Sequence, residues 1–203
     1  GFVASLYALF TVLGQELFPQ VDAGQVQIFV RMPTGTRIEV TEQRIMEIEE
    51  EIIKIIGVPD PNFALGREEI PESNLQLLVS NIGVLLDWPA AYTPNSGVMD
   101  SFMLVQTKSK PGQPSIFDYV QRLRQALNEK FPDVDFAFDT GGMLTAALNM
   151  GEPSPIHFQI QCTNLERAQQ VARRIVDVAR ETPGSADVRI AQRIDYPILE
   201  VEM

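Results

Sequence analysis

The sequence predicts an α+β fold in which short strands alternate with amphipathic helices. Apolar residues repeat every second position in several short runs, and at three- and four-residue steps in the runs between them. Clusters rich in Pro and Gly separate the two patterns. The chain of 203 residues has room for one domain or two small ones. Its composition, 45% hydrophobic and 21% charged, supports a buried core rather than disorder.

Residues 1–13 run Gly1-Phe2-Val3-Ala4-Ser5-Leu6-Tyr7-Ala8-Leu9-Phe10-Thr11-Val12-Leu13 without a charge. A membrane helix needs about 20 apolar residues, so this stretch is too short to span. A secretory leader would open with positive charge and close on a small-residue cleavage site, and neither is present. A buried core helix and the last turns of a membrane helix both fit. The abrupt change to Gly14-Gln15-Glu16 favours the second. Acidic Glu16 and Asp22, with no Lys or Arg before Arg31, fit the non-cytoplasmic side. Residues 14–24 read as a linker.

The first strand is predicted over Gln25 to Met32, where Val26, Ile28, Val30 and Met32 share one face. Pro33-Thr34-Gly35 turns the chain, and Thr36 with Glu39 three residues on reads as a capping box. Ile45, Ile48, Ile52 and Ile55 then form one helical stripe, which Gly57 and Pro59 stop. Glu47, Glu49, Glu50 and Glu51 read as a solvated helix face rather than a cation site, because consecutive helical residues point in different directions. Leu75 to Val84 is the second strand and Ser101 to Thr107 the third. Lys108 to Pro114 is a turn, and Ser115 with Asp118 caps the next helix. Ile116, Val120, Leu123, Leu127 and Phe131 are its stripe, Pro132 its end, and Val134, Phe136 and Phe138 the fourth strand. The order strand-helix-strand-strand-helix-strand over residues 25–140 is the ferredoxin-like split βαβ arrangement, βαββαβ, with two helices on one face of the sheet.

After a linker at 141–154, a further βαβ unit is predicted over 155–203. Its parts are a strand from Ile156 to Cys162, a cap at Thr163 with Glu166, and a stripe of Leu165, Ala168, Ala172, Ile175 and Ala179. Strands at Asp187 to Gln192 and Ile198 to Val201 follow. This unit lacks a second helix, so its sheet would be incomplete and Met203 reads as a boundary within a longer protein.

The formal charge of −11 argues against nucleic acid and against anionic lipid surfaces, both of which need clustered Lys and Arg. Cys162 is the single cysteine, so no intrachain disulfide forms; its alternation with Phe158 and Ile160 predicts a small buried hydrophobe. His157 is also single and predicts no metal centre. No Gly-rich phosphate loop, nucleophile elbow or His-x-x-x-His pair occurs, and Gly141-Gly142 reads as a hinge or turn. No catalytic residue and no cofactor are therefore expected.

Glu16-Leu17-Phe18-Pro19-Gln20-Val21-Asp22-Ala23-Gly24-Gln25, followed by Met32-Pro33-Thr34-Gly35-Thr36, resembles a segment of resistance-nodulation-division (RND) transporters. In that family the segment joins the membrane helix opening the second half of the protein to the porter region outside the cytoplasm. Downstream the resemblance is one of order and spacing over nearly the whole chain. It implies that 1–13 is the end of a transmembrane helix, 25–140 a porter subdomain, and 155–203 the start of a second one. It further implies a bacterial inner-membrane protein with this region in the periplasm. Such a protein would form trimers, partner a periplasmic adaptor and an outer-membrane channel, and export lipophilic or amphiphilic compounds with proton drive.

By order, Leu85 to Gly97 matches the loop that divides two substrate pockets in the family, and Trp88 within it is the only tryptophan. The resemblance makes Ile82, Val84, Trp88, Phe136 and Phe138 candidate substrate-binding residues; for all but Trp88, core packing explains the same pattern. Multidrug members tend to carry phenylalanine where this chain has Ile82 and Val84, which counts against a broad aromatic pocket. Met32 before Pro33 resembles the heavy-metal branch, in which thioethers bind soft cuprous or silver ions, with Met99, Met103, Met143 and Met150 as possible partners. The alternative from another class is a soluble ferredoxin-like module that binds a small ligand or assembles by sheet pairing. Because the strand-helix pattern starts only at Gln25, a chain lacking residues 1–13 is expected to melt cooperatively by circular dichroism. Loss of the cooperative transition would refute that expectation.

Overall fold

A computed structural model of the chain describes residues 22–60, 74–83, 95, 97–108, 112–141 and 156–192. Four strands, β1 (Gln25–Arg31), β2 (Leu75–Ile82), β3 (Asp100–Thr107) and β4 (Asp135–Asp139), form one sheet in the order β2-β3-β1-β4. Every neighbouring pair is antiparallel. Helix α1 (Ile38–Ile56) joins β1 to β2, and α2 (Ile116–Lys130) joins β3 to β4, which is the split βαβ topology expected. A third helix, α3 (Leu165–Glu181), follows. No described helix is long and apolar enough to cross a membrane. Residues 1–13, with the membrane helix expected there, lie outside the described residues, as does the strand expected at Ile198 to Val201.

The alternation in β1 sets the core. Val26, Ile28 and Val30 are buried on one face, opposite Val105, Met103 and Ser101 of β3. Ile45, Ile48, Ile52 and Ile56 of α1 and Ile116, Val120, Leu123 and Leu127 of α2 close over them. Each fully buried Leu or Ile contributes about 1.5–3 kcal/mol relative to exposure, so these two stripes hold the helices on the sheet. Met32, Met99 and Met103 are part of this packing, and the Met99 sulfur accepts the Gly35 amide at 3.3 Å. Their thioethers therefore serve the core; Met143 and Met150 lie outside the described residues.

Asp22 anchors the start of β1. One carboxylate oxygen accepts the Gly24 amide at 2.9 Å, and the other accepts the Ile116 amide at the start of α2 at 3.0 Å. It thus ties the beginning of the sheet to a free helix-terminal amide 94 residues away. Gly24 has a φ of +65°, and a Cβ there would stand 2.9 Å from the Thr107 carbonyl, so only glycine fits between β1 and β3.

The helix starts differ from expectation in two of three cases. Ser115 and Asp118 form the reciprocal capping box. Thr36 instead donates its hydroxyl to the Pro33 carbonyl at 2.7 Å and closes a turn, so α1 begins after Arg37 with no side-chain cap. At α3 the cap is Asn164 rather than Thr163, its side chain accepting the Arg167 amide at 2.9 Å. The third unit departs further. Residues 156–162 form no strand, Ile156 and Phe158 are 73% and 66% exposed, and Cys162 is exposed rather than buried. Residues 187–192 are also not a strand. No residue of α3 is fully buried; Ala168, Ala172, Ile175 and Ala179 are half-buried, and Leu165 is exposed. Alternation specifies a strand only where a partner strand supplies its hydrogen bonds, and no described strand pairs with these segments.

A buried ion pair fastens the return from α1. The Lys108 ammonium lies 2.6 Å from the Asp60 carboxylate, with side chains 3% and 0% exposed. Backbone bonds from Asp60 to the Leu75 carbonyl and from Lys108 to the Asn74 carbonyl flank it. Replacing Lys108 with Met removes this ion-pair partner from a buried carboxylate and is expected to cost about 3–5 kcal/mol. The double change Lys108→Met with Asp60→Leu should cost much less. Equal losses in urea melts of the single and double variants would refute a coupled pair.

Candidate functional site

With both helices on one face, the opposite face of the sheet carries Gln27, Phe29 and Arg31 of β1, Phe102 and Leu104 of β3, and Asp139 of β4. Arg31 stands opposite Asp100 on one side and Asp135 on the other, and its guanidinium is 3.7 Å from the Asp100 carboxylate. Arg31 also donates to the Ile190 and Ala191 carbonyls at 2.8 and 3.1 Å. Arg189 lies over Phe29, its guanidinium carbon 3.9 Å from the ring centroid. On the helix side, Arg124 of α2 forms a two-pronged ion pair with Asp187 at 2.6 and 3.1 Å, and covers Phe138 at 5.2 Å.

These contacts fix the path of the segment after α3. Asp187 meets a helix-side arginine, whereas Arg189, two residues on, meets a ring on the other face. The segment therefore wraps around β4, the edge strand of the sheet. Asp187 makes the bend with a φ of 57°, the only described non-glycine residue in that region.

Between the end of α2, the start of β4 and residues 185–188 a cleft of about 330 Å³ opens. Its walls are mainly polar: Arg124, Asn128, Asp135, Arg180, Ser185 and Asp187 line it, with Val134 and Phe136 at the β4 side. Two arginines and two aspartates balance in formal charge. Around the wrapped edge the electrostatics are strained in both directions. Burial lowers the Arg189 guanidinium below its ordinary value, and Arg31 adds repulsion; Asp139, Asp187 and Asp100 oppose both. Burial raises the Asp139 carboxyl, against the Gly141 amide it accepts at 2.8 Å and the charge of Arg189. Among the described residues no group of three His, Cys, Asp or Glu could hold a metal ion.

Of the five sequence-derived candidates, Ile82, Phe136 and Phe138 are among the described residues. Val84 and Trp88 lie outside the described residues. Ile82 and Phe136 occupy the two ends of one cross-sheet row, through Ser101 and Val30, and three strand spacings separate them by about 14 Å. Phe136 lines the cleft and packs on Phe131, with centroids 6.4 Å apart. Phe138 lies on the same helix-side face beneath Arg124. Sequence reasoning missed Arg31, Arg124, Asp187 and Arg189. No local pattern marks a pair 63 residues apart, although the left-handed bend falls on Asp, a residue type that tolerates it.

The profile of the family described as AcrB/AcrD/AcrF matches residues 1–203. The nickel and cobalt resistance protein CnrA of Cupriavidus metallidurans is 22% identical over 204 residues, covering 98% of this chain and 17% of its own length. The nickel-cobalt-cadmium resistance protein NccA of Alcaligenes xylosoxydans xylosoxydans is 21% identical over 197 residues, covering 95% and 16%. The chain thus spans about a sixth of these curated relatives. A crystal structure of a heavy metal efflux pump superposes with a TM-score of 0.69 at 16% identity, over 94% of this chain and 18% of that one. A second crystal form gives a TM-score of 0.65 at 15% identity, over 90% and 18%. At these identities the superpositions establish the shared fold.

Because its folded carboxyl titrates above the ordinary 3.8, Asp139 binds a proton in the native state where the unfolded chain has released it. Stability from this group is therefore present below 3.8 and is lost as pH rises through the raised folded value. Asp139→Asn keeps an acceptor for the Gly141 amide without the titration. Wild type should lose stability relative to this variant as pH rises across that window in denaturant melts. Parallel profiles would refute the assignment.

Proposed function

The chain belongs to the AcrB/AcrD/AcrF family of RND transporters, and from that membership we propose that it forms part of the substrate path of an efflux transporter. The charged cleft at the wrapped β4 edge carries this reading. A ferredoxin-like sheet supplies one rigid wall, and the α3 unit supplies the other through a short segment held by side chains rather than by a strand ladder. A cleft between two such bodies can change width without loss of either core. The proposal gives this region a path-lining role and no bond-making chemistry. In the whole protein it would stand in the periplasm of a bacterium, attached to the inner membrane. A trimer with an adaptor and an outer-membrane channel is the proposed assembly.

For cargo, we propose divalent transition-metal cations before lipophilic compounds. The oxygen atoms of Asp135, Asp187, Asn128 and Ser185 can contact the water shell of a hydrated ion in passage without forming a fixed metal site. The relatives described as nickel, cobalt and cadmium resistance proteins support the same choice. The lipophilic reading is left with Phe136 and with Val84 and Trp88, the last two outside the described residues.

Expression of the full-length transporter in a bacterial host lacking its own metal and drug exporters tests both. Nickel or cobalt tolerance should rise several-fold, while tolerance of lipophilic dyes stays near the empty-vector value. Dye tolerance without metal tolerance would reverse the order of the two cargo classes.

A further inference from the structure

The contacts of residues 187–191 suggest a mechanical role that a cleft wall alone does not require. We propose that this strap is a releasable clasp, locked by Arg124 and Arg31, and that the clasp must open for the cleft to widen during export. The inference rests on the efflux reading above and adds a moving part to it.

The strap lies against the edge strand but does not join the sheet: residues 187–192 are not a strand, and the two carbonyls held by Arg31 bond to a side chain rather than to a ladder. A strand added to β4 would be held by a row of backbone bonds, all broken together. Among the described residues the strap is held instead at three points, Asp187 on Arg124, Arg189 on Phe29, and the Ile190 and Ala191 carbonyls on Arg31. Each point is a side-chain contact outside the helix-covered core, so release would leave the sheet and its core intact. Two of the groups, Arg124 and Asp187, also line the cleft, so the lock and the space it closes share the same side chains. The left-handed bend at Asp187 falls at the lock, where opening would relieve it. A cation entering the cleft meets the Asp187 carboxylate and competes with Arg124 for it, which links cargo to release.

Two arms test the clasp in the full-length transporter. In the first, Asp187→Asn removes the charge while Asn still tolerates the left-handed bend. Tryptic cleavage after Arg189 should speed up about tenfold, the scale set by a charged hydrogen bond, while β1 stays uncut. Unchanged cleavage of the strap overturns the proposal, and this arm needs no cargo. In the second, Arg124→Cys and Asp187→Cys are joined by a short reducible thiol cross-linker, in a background with Cys162→Ser and other cysteines removed. Metal or dye efflux should fall at least about tenfold on cross-linking and recover on reduction, as expected for a motion made obligatory. Cross-linked protein that exports at the rate of the same variant before cross-linking overturns the clasp. If that variant is inactive before cross-linking, the cleavage arm decides. A wild-type transporter that exports neither cargo class counts against the efflux reading, while cleavage of the strap still reports on the clasp.

Discussion

A sheet covered by helices on one side only must find another use for its second side, and that constraint organises this molecule. The alternation of β1 drives Val26, Ile28 and Val30 into the helical core and leaves Phe29 and Arg31 facing the other way. An exposed Phe flanked by charge would be costly alone. Arg189 covers the ring, and Phe29 is 9% exposed despite lying on the open face. The register that builds the core therefore also creates the docking point for the strap.

Charge is placed with the same economy. Asp22 joins a tight turn to a helix start, Asp60 and Lys108 close the base of the sheet away from water, and Arg124 with Asp187 meets at the edge. The first two pairings are local anchors of the fold. The third bridges the sheet unit to the α3 unit and lines the cleft between them. The partly exposed ion pair there, with side chains 31% and 17% exposed, exchanges more readily than the sealed Lys108–Asp60 pair. Burial thus separates a fixed fastening from a releasable one.

Much of the fold was legible because local periodicity and tertiary burial agree. The stripes at Ile45, Ile48 and Ile52 and at Ile116, Val120, Leu123 and Leu127 face inward as spacing required, and Ser115 caps as its neighbour Asp118 foretold. Disagreement arose where a pattern lacked its partner. Ile156, Phe158 and Ile160 alternate, yet with no described neighbouring strand they are not a strand. Thr36 had the spacing of a cap, but the Pro33 carbonyl took its hydroxyl. Competition of that kind is set by backbone geometry, which residue spacing does not contain.

By itself, the sequence determined which faces of the strands and helices are apolar, in what order the elements come, and hence the split βαβ topology and the resemblance to a transporter family. These follow from short-range steric and hydropathic rules. Only the tertiary structure decided that Ile82 and Phe136 stand at opposite edges, that residues 187–191 wrap the β4 edge, and that Arg31, Arg124 and Arg189 hold them there. The physical reason is separation along the chain. Arg124 and Asp187 are 63 residues apart, and Arg31 and Ile190 are 159 apart. Nothing in either neighbourhood specifies the other until the core has brought them together.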